Sequence, residues 1–222
     1  FTIPIEKYTL ANGLTVVLHE DHSDPIASVA IYYHVGSSRE TEGKTGFAHL
    51  FEHMMFQRSE NIGEKQFVQY IMGAGGTFNG STSQDRTNYY ETLPKNALEM
   101  ALWMESDRMG YLENTVTKTA LANQQNVVQN EKRQSVDNAP NGFNQGLILK
   151  NLYPKGHPYS WDVIGEMQDL TNATVEDVKA FHKKFYAPNN GVLVITGDIN
   201  KEEVKALVEK YFGEIPGGEK ID

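Results

Sequence analysis

The sequence is organised around one short segment, Ala48-His49-Leu50-Phe51-Glu52-His53-Met54-Met55-Phe56. In an α-helix successive side chains are about 100° apart, so His49, Glu52 and His53 would share one polar face. The apolar residues of the segment would then lie on the opposite side, where they can pack against a sheet. The pattern predicts a helix that is anchored in the core on one side and carries reactive groups on the other.

The polar face of this predicted helix has the composition of a catalytic metal site. Two imidazoles one turn apart can reach the same cation, and zinc binds neutral His nitrogens at about 2.0 to 2.1 Å. The spacing His-x-x-Glu-His is the inverzincin motif. A structural zinc site would need four protein ligands, usually with Cys, and this sequence has 0 Cys. We therefore expect catalytic zinc at His49 and His53, the alternative being a charged surface helix with two solvated His.

The composition is typical of a globular protein. The chain has 222 residues, of which 39% are hydrophobic and 22% charged, enough for one large domain or a domain and a half. A net charge of −9 disfavours nucleic acid as a partner, because a phosphate backbone attracts a basic surface. No apolar run approaches the roughly 18 residues of a membrane-spanning helix. Phe1 begins the chain without a signal-like segment, which is typical of a trimmed mature protein.

Strands and helices are expected on both sides of the metal helix. A hairpin is predicted from Tyr8 to His19 across the Asn12-Gly13 turn. Further strands are predicted over residues 28–35, 77–82, 87–93 and 191–197, and helices over residues 65–72, 97–108, 115–137, 143–152, 174–185 and 201–212. The strand over residues 191–197 is a continuous apolar run, a pattern that predicts burial on both faces.

A third metal ligand must come from outside the helix, and Glu91, Glu105 and Glu131 are all available. A longer sequence pattern singles out Glu131 among these three residues. Glu131 ends the segment Val127-Val128-Gln129-Asn130-Glu131. This segment, the metal motif and the flanking residues together resemble the pitrilysin (insulinase) family of zinc peptidases, from about residue 8 to residue 215. The flanking residues that carry the resemblance are Gly36, Ser37, Glu40, Thr45, Gly46, Phe47, Gly75, Gly76, Asn79, Asp85, Thr87 and Tyr89.

The resemblance implies an α+β fold, a pitrilysin-like two-layer sandwich in which helices pack on one face of a mostly antiparallel sheet. It implies a single domain over residues 1–215 and, over residues 216–222, the start of a linker to a companion domain of similar fold. That companion would lie in the same chain or in a second subunit.

The resemblance also implies the roles of the site residues. One Zn²⁺ would be held by His49, His53 and Glu131, with Glu52 as the general base that takes a proton from water as it attacks a peptide carbonyl. The family usually has a second acidic residue at the position of Gln124. An amide there can still hydrogen-bond a ligand but adds no charge, so Gln124 is expected to support the site more weakly.

A peptide substrate is the expected partner. In the family the peptide is added as a strand to a sheet edge, and the matching positions are Asn79, Gly80 and Ser81. The alternative for these residues is an ordinary hairpin with a glycine bulge.

The sequence is therefore interpreted as a zinc endopeptidase domain that hydrolyses short or unfolded peptides. The alternative is a non-catalytic scaffold or partner subunit that keeps the fold and possibly the metal. In this family such subunits typically lack residues of the metal motif, whereas His49, Glu52 and His53 are all present here.

Overall fold

The structure is a computed structural model that describes residues 2–221. The strands are β1 (Glu6–Thr9), β2 (Thr15–Glu20), β3 (Ile26–Tyr33), β4 (Thr77–Thr82), β5 (Thr87–Pro94) and β6 (Gly191–Gly197). The helices are α1 (Phe47–Met54), α2 (Gln66–Gly73), α3 (Leu98–Tyr111), α4 (Lys118–Lys132), α5 (Asn144–Leu152), α6 (Met167–Asn172), α7 (Val175–Phe185) and α8 (Lys201–Phe212). Phe1 and Asp222, the outer ends of the predicted domain and linker, lie outside the described residues.

The strands form one six-stranded sheet in the order β1-β2-β6-β3-β5-β4. The β2–β6 pair is parallel and every other neighbouring pair is antiparallel. Ile31 of β3 lies opposite Leu193 of β6 and Tyr89 of β5. The last strand in the sequence, β6, is therefore inserted into the middle of the sheet. There it pairs with β2 of the N-terminal hairpin on one side and with β3 on the other.

The helices pack on one face of this sheet. Residues that point to that face, such as Ile31, Leu193 and Tyr89, are fully buried, and α1, α3 and α8 contact β4, β3 and β2 respectively. Alternate residues point to the other face, where Tyr32 and Val192 are exposed. The predicted α+β, two-layer, mostly antiparallel fold is confirmed.

Three details of the sequence prediction are wrong. The strand at residues 191–197 is not buried on both faces, since Val192 is 37% exposed. The helix predicted over residues 115–137 begins only after Thr117, whose hydroxyl accepts a hydrogen bond from the Ala120 amide, and it continues as a π-helical turn over Arg133–Asp137. Helix α6 was not predicted because six residues are too few to show helical periodicity.

No helix within residues 2–221 combines the length and the apolar character needed to cross a membrane. Residues 216–220 follow α8 without helix or strand, so the proposed linker stays a prediction.

A buried ionic cluster lies between α3 and β5. The Arg108 guanidinium donates from Nε to Glu105 Oε2 at 2.8 Å and from Nη2 to the other oxygen of that carboxylate. It also lies 4.3 Å from the ring centroid of Tyr89. Burial and the neighbouring Glu105 carboxylate raise the pKa of Glu91 well above its ordinary value. Arg108 is the cation of this cluster, and removing it would leave buried acidic groups uncompensated.

We expect Arg108→Met to lower the free energy of unfolding by about 3 to 5 kcal/mol, the range for breaking a buried ion pair. The measurement is urea denaturation of the metal-free chain, with the exposed Arg58→Met as the control. Equal stabilities for the two variants would contradict a structural role of the Arg108 cluster.

Candidate metal centre

Helix α1 divides its side chains as the sequence predicts. Leu50, Phe51 and Met54 are at most 2% exposed, and the Phe51 ring lies 4.3 Å from the ring of Tyr186 on the core side. His49, Glu52 and His53 lie on the other side and are only partly buried. The apolar side holds the helix in place while the polar side remains accessible to a ligand.

The start of α1 is fixed by a side chain from the preceding loop. Gly46 is the N-cap residue, adopts φ 82°, and has no side chain with which to cap the helix. The Glu40 carboxyl accepts hydrogen bonds from the Gly46 amide at 2.9 Å and the Ala48 amide at 2.8 Å. Glu40 thus supplies from a distance the acceptor that a Ser, Thr or Asp N-cap would supply locally.

A second contact orients the same end of the helix. Thr45 donates from both its amide and its hydroxyl to Asp169 Oδ2, at 3.0 and 2.6 Å. A Cβ on Gly165 would lie 2.4 Å from the Cα of Gly46, so this approach of two backbones requires glycine. The start of α1 is therefore tied to α6 and to the loop before it, as well as to Glu40.

The structure brings His49, His53 and Glu131 together. The two imidazole rings are 4.9 Å apart at an interplanar angle of 86°. Glu131 Oε1 lies 3.7 Å from His49 Nε2, and Glu131 Oε2 lies 3.2 Å from His53 Nε2. The ligand atoms that these residues offer are all within 4.8 Å of one another. Glu131 reaches the two imidazoles because α4 packs against α1.

This donor set fits a zinc ion. Two ligands held tetrahedrally at 2.0 to 2.1 Å from one ion are roughly 3.4 Å apart, close to the separations from Glu131 to the two rings. Burial lowers the pKa of His49, and the hydrogen bond with His53 lowers the pKa of Glu131. The imidazole of His49 therefore favours its neutral form and the carboxylate its charged form, the states in which each binds metal.

Glu52 lies beside this group, between α1 and β4. Its Oε2 accepts a hydrogen bond of 2.5 Å from the Thr82 hydroxyl. Burial raises the pKa of Glu52, and the charge of Glu131 adds to that effect, whereas the Thr82 hydrogen bond and the nearby His53 lower it. A carboxyl group held in this way is positioned for proton transfer next to the three ligand residues.

The predicted substrate-binding residues lie on β4, which is the edge strand on this side of the sheet. Gly80 and Ser81 line a cavity of about 490 Å³ together with His49, Glu52 and Glu131. Asn79 is not among the residues that line it, and its Oδ1 accepts a hydrogen bond from the Gly80 amide. The structure thus brings Gly80 and Ser81 to the site and places Asn79 beside it.

Gly80 leaves room that another residue would fill. A Cβ at Gly80 would lie 3.2 Å from Glu52 Oε1 and 3.2 Å from ring atoms of Phe56 and Tyr89. The strand therefore comes close to Glu52 only because this position has no side chain.

The two valines before Glu131 on α4 differ in burial. Val128 is fully buried, whereas Val127 is 45% exposed. The two side chains are about 100° apart around the helix and do not share one face. Gln124 is buried on the same helix, and among residues 2–221 its amide makes no hydrogen bond to the three ligand residues. Its supporting role stays a prediction.

Sequence reasoning did not reveal the roles of two acidic residues near the site. Asp162 lines the same cavity, and its charge raises the pKa of His49 against the larger effect of burial. It lies in a loop that carries no periodic signal. Glu40 was noted only as part of the family resemblance. The signal that would have revealed its role is a helix start with Gly in place of a capping side chain.

The other glutamates considered as ligands lie elsewhere. Glu91 and Glu105 are buried with Arg108 between α3 and β5. Neither belongs to the group of residues that could share a metal ion with His49 and His53.

Comparison with known proteins places this geometry in a family. Residues 15–157 match the family described as insulinase (peptidase family M16), and residues 172–222 match the peptidase M16 inactive domain. The chain belongs to the insulinase family of peptidases. The insulinase-family protein named zinc protease PqqE, from Helicobacter pylori, is 35% identical over 208 residues, which are 93% of this chain and 46% of that protein.

Solved structures support the same assignment. A crystal structure of a protease from Helicobacter pylori has a TM-score of 0.95 at 32% identity, over 100% of this chain and 53% of that one. Pitrilysin has a TM-score of 0.87 at 24% identity, over 100% of this chain and 24% of that one, and shows the same fold. The chain spans about half the length of the curated Helicobacter pylori relative that it matches.

The capping role of Glu40 gives a pH-dependent prediction. Burial raises the pKa of Glu40 from 4.5 to about 8, so its contribution to the free energy of unfolding is complete at acid pH and lost as the pH rises through about 8. We expect Glu40→Ala to lower the free energy of unfolding by about 1 to 3 kcal/mol at neutral pH, because buried amides lose their acceptor.

The Glu40→Ala deficit should shrink as the pH is raised from about 6 to about 9. Urea denaturation in metal-free buffer measures it, with the exposed Glu42→Ala as the matched control. A deficit that grows with pH would contradict the raised pKa of Glu40, and a deficit equal to that of Glu42→Ala would contradict its capping role.

Proposed function

We propose that this chain is the metal-bearing domain of a zinc endopeptidase that hydrolyses short or unfolded peptides. The observation that carries the proposal is the convergence of His49, His53 and Glu131, whose ligand atoms lie within 4.8 Å of one another. A carboxyl group, Glu52, lies on the same side of α1. Membership in the insulinase family, which includes a relative named as a zinc protease, supports the same reading.

Each residue of the site has a distinct role in the proposed reaction. Zinc, when bound by His49, His53 and Glu131, supplies Lewis acidity and lowers the pKa of water to about 7. Glu52 accepts the proton of the attacking water and passes it to the departing amine. Thr82 fixes Glu52 through its 2.5 Å hydrogen bond. Since burial raises the pKa of Glu52, this carboxylate is a better proton acceptor than an exposed one.

The edge strand β4 is the proposed substrate platform. An extended peptide that pairs with the free edge would gain backbone hydrogen bonds without any demand on its sequence. A peptide paired with β4 at Gly80 and Ser81 would lie across the cavity that Glu52 also lines. Folded proteins seldom offer a free extended segment, so the geometry favours short or unfolded peptides.

The proposed enzyme is completed by a companion domain. We propose that residues 1–215 form one pitrilysin-like domain and that residues 216–222 begin the linker to the companion, in the same chain or toward a second subunit. The cavity beside Glu52 is open to one side, and a companion that closes over it would exclude water from the reacting groups.

We expect Glu52→Gln to retain zinc and to lose peptide hydrolysis by about 10² to 10⁴-fold, the usual contribution of a general base. Zinc content and cleavage of a mixed peptide library measure the two effects. Both are assayed with and without the half of the Helicobacter pylori protease that this chain does not match. The exposed Glu64→Gln is the control and should behave as the parent chain.

Two outcomes would oppose the proposal in different ways. Cleavage by Glu52→Gln at the parental rate would show that another group takes the proton. Zinc binding without cleavage by the parent chain, even with the companion half present, would favour a scaffold or partner subunit.

A further inference from the structure

A groove beside helix α5 adjoins the cavity of the metal centre. The groove has a volume of about 550 Å³. Val136 and Asp162 line it, and both also line the cavity that contains Glu52 and Glu131. We call it the α5 groove, and its apolar side chains are Val136, Phe143, Leu147 and Met167. A ligand that extends beyond the cavity at the metal centre therefore meets the α5 groove next.

The apolar side chains that α5 contributes to the groove are open to a ligand. Phe143 is 57% exposed and Leu147 is 58% exposed. They are four residues apart, so they are neighbours on one side of the helix. Large apolar side chains that are exposed together in a groove are typical of a binding site.

The junction between the cavity and the groove is the π-helical turn Arg133–Asp137, which follows α4. Ser135 lines the cavity of the metal centre, and Val136 lines both spaces. A side chain at Gly142 would overlap the Val136 carbonyl oxygen, so the loop before α5 packs directly on this turn. The groove therefore begins a little more than one helical turn beyond Glu131.

Polar contacts among three segments hold the groove in shape. Lys132, at the end of α4, donates from Nζ to the Gly165 carbonyl at 2.5 Å. Lys150, on α5, donates from Nζ to Glu166 Oε1 at 2.9 Å. Since Gly165 and Glu166 both precede α6, these contacts tie α4 and α5 to the same loop. The groove is thus enclosed by segments that are bonded to one another.

The charged residues of the groove disfavour an acidic occupant. Two lysines and three acidic residues line it, namely Lys132, Lys150, Asp137, Asp162 and Glu166. Both lysines already have the partners described above. An acidic side chain would therefore meet a surplus of negative charge, whereas an apolar side chain would be buried against the apolar residues of the groove.

We propose that the α5 groove is a specificity subsite of the proposed peptidase and accepts an apolar side chain of the substrate at one fixed position relative to the cleaved bond. A peptide paired with β4 lies across the cavity that Glu52 lines, and one of its side chains extends past Val136 into the groove. The inference rests on the proposed function, because it takes the occupant to be the peptide that β4 binds.

The selectivity of cleavage tests the proposal. The zinc-loaded chain, mixed with the half of the Helicobacter pylori protease that this chain does not match, is given the mixed peptide library, and the products are sequenced by mass spectrometry. We expect Leu, Met and Phe to be enriched, and Asp and Glu to be depleted, at one position relative to the cleaved bond. Matched peptides with Leu or Ser at that position should differ in kcat/KM by about tenfold or more.

Substitutions on α5 connect this preference to the groove. Phe143→Ser and Leu147→Ser should each reduce the Leu-to-Ser ratio of kcat/KM to below about threefold. Ile148→Ser is the matched control, because Ile148 is on the same helix and 56% exposed but is not among the residues that line the groove. A ratio that Phe143→Ser and Leu147→Ser leave unchanged, or that Ile148→Ser lowers equally, would overturn the proposal.

A binding measurement separates this proposal from the proposed activity. Zinc-loaded Glu52→Gln, mixed with the same companion half, is titrated with fluorescent peptides in which one Leu is moved through a host of Ser, Thr and Gly. Tighter binding at one Leu position, lost in Leu147→Ser, would support the subsite even if the parent chain cleaves nothing, a result that would oppose the proposed activity. Cleavage without a Leu preference would do the reverse, and binding of none of the peptides would contradict both.

Discussion

The meeting of one carboxylate with two imidazoles from another helix is the constraint on which the rest of this structure depends. Glu131 lies on α4 and the imidazoles lie on α1, so the ligand geometry is a consequence of how these helices pack. Local helical structure alone fixes the spacing of His49 and His53. The position of Glu131 requires the whole helical layer to be assembled on the sheet.

Several contacts remove the freedom of α1 that would spoil this geometry. Its apolar side lies against the core, Glu40 accepts hydrogen bonds from its first amides, and Thr45 is bonded to Asp169. Burial and hydrogen bonding then set the protonation states of the side chains on the polar side. His49 is buried enough to favour its neutral form, and Glu131 remains ionised because His53 hydrogen-bonds it. The same environment gives Glu52 a raised pKa without removing it from the open cavity.

What the sequence predicts well is what depends on neighbours along the chain. Periodicity located α1 and its two faces and the strands of the sheet. The helix predicted over residues 174–185 is α7, which begins at a capping box of Thr174 and Asp177. Glu131 came from a family resemblance, since nothing local to α4 says which glutamate meets α1. Glu40 and Asp162 act from outside the regular helices and strands, where no periodic pattern marks an acidic residue with a role at the site.

The error at β6 has a different cause. The apolar run of residues 191–197 was interpreted as a strand with two covered faces, and one face is open in this chain. An apolar run alone does not show which of a strand's two faces the rest of the chain covers.

The most direct measurement of the central claim is a crystal structure or X-ray absorption spectrum of the chain loaded with zinc. The account predicts one zinc per chain, bound by two imidazole nitrogens and an oxygen of Glu131 at about 2.0 to 2.2 Å, with a fourth position not filled by protein. Zinc bound without Glu131, or bound to a fourth protein ligand in a closed site, would contradict it.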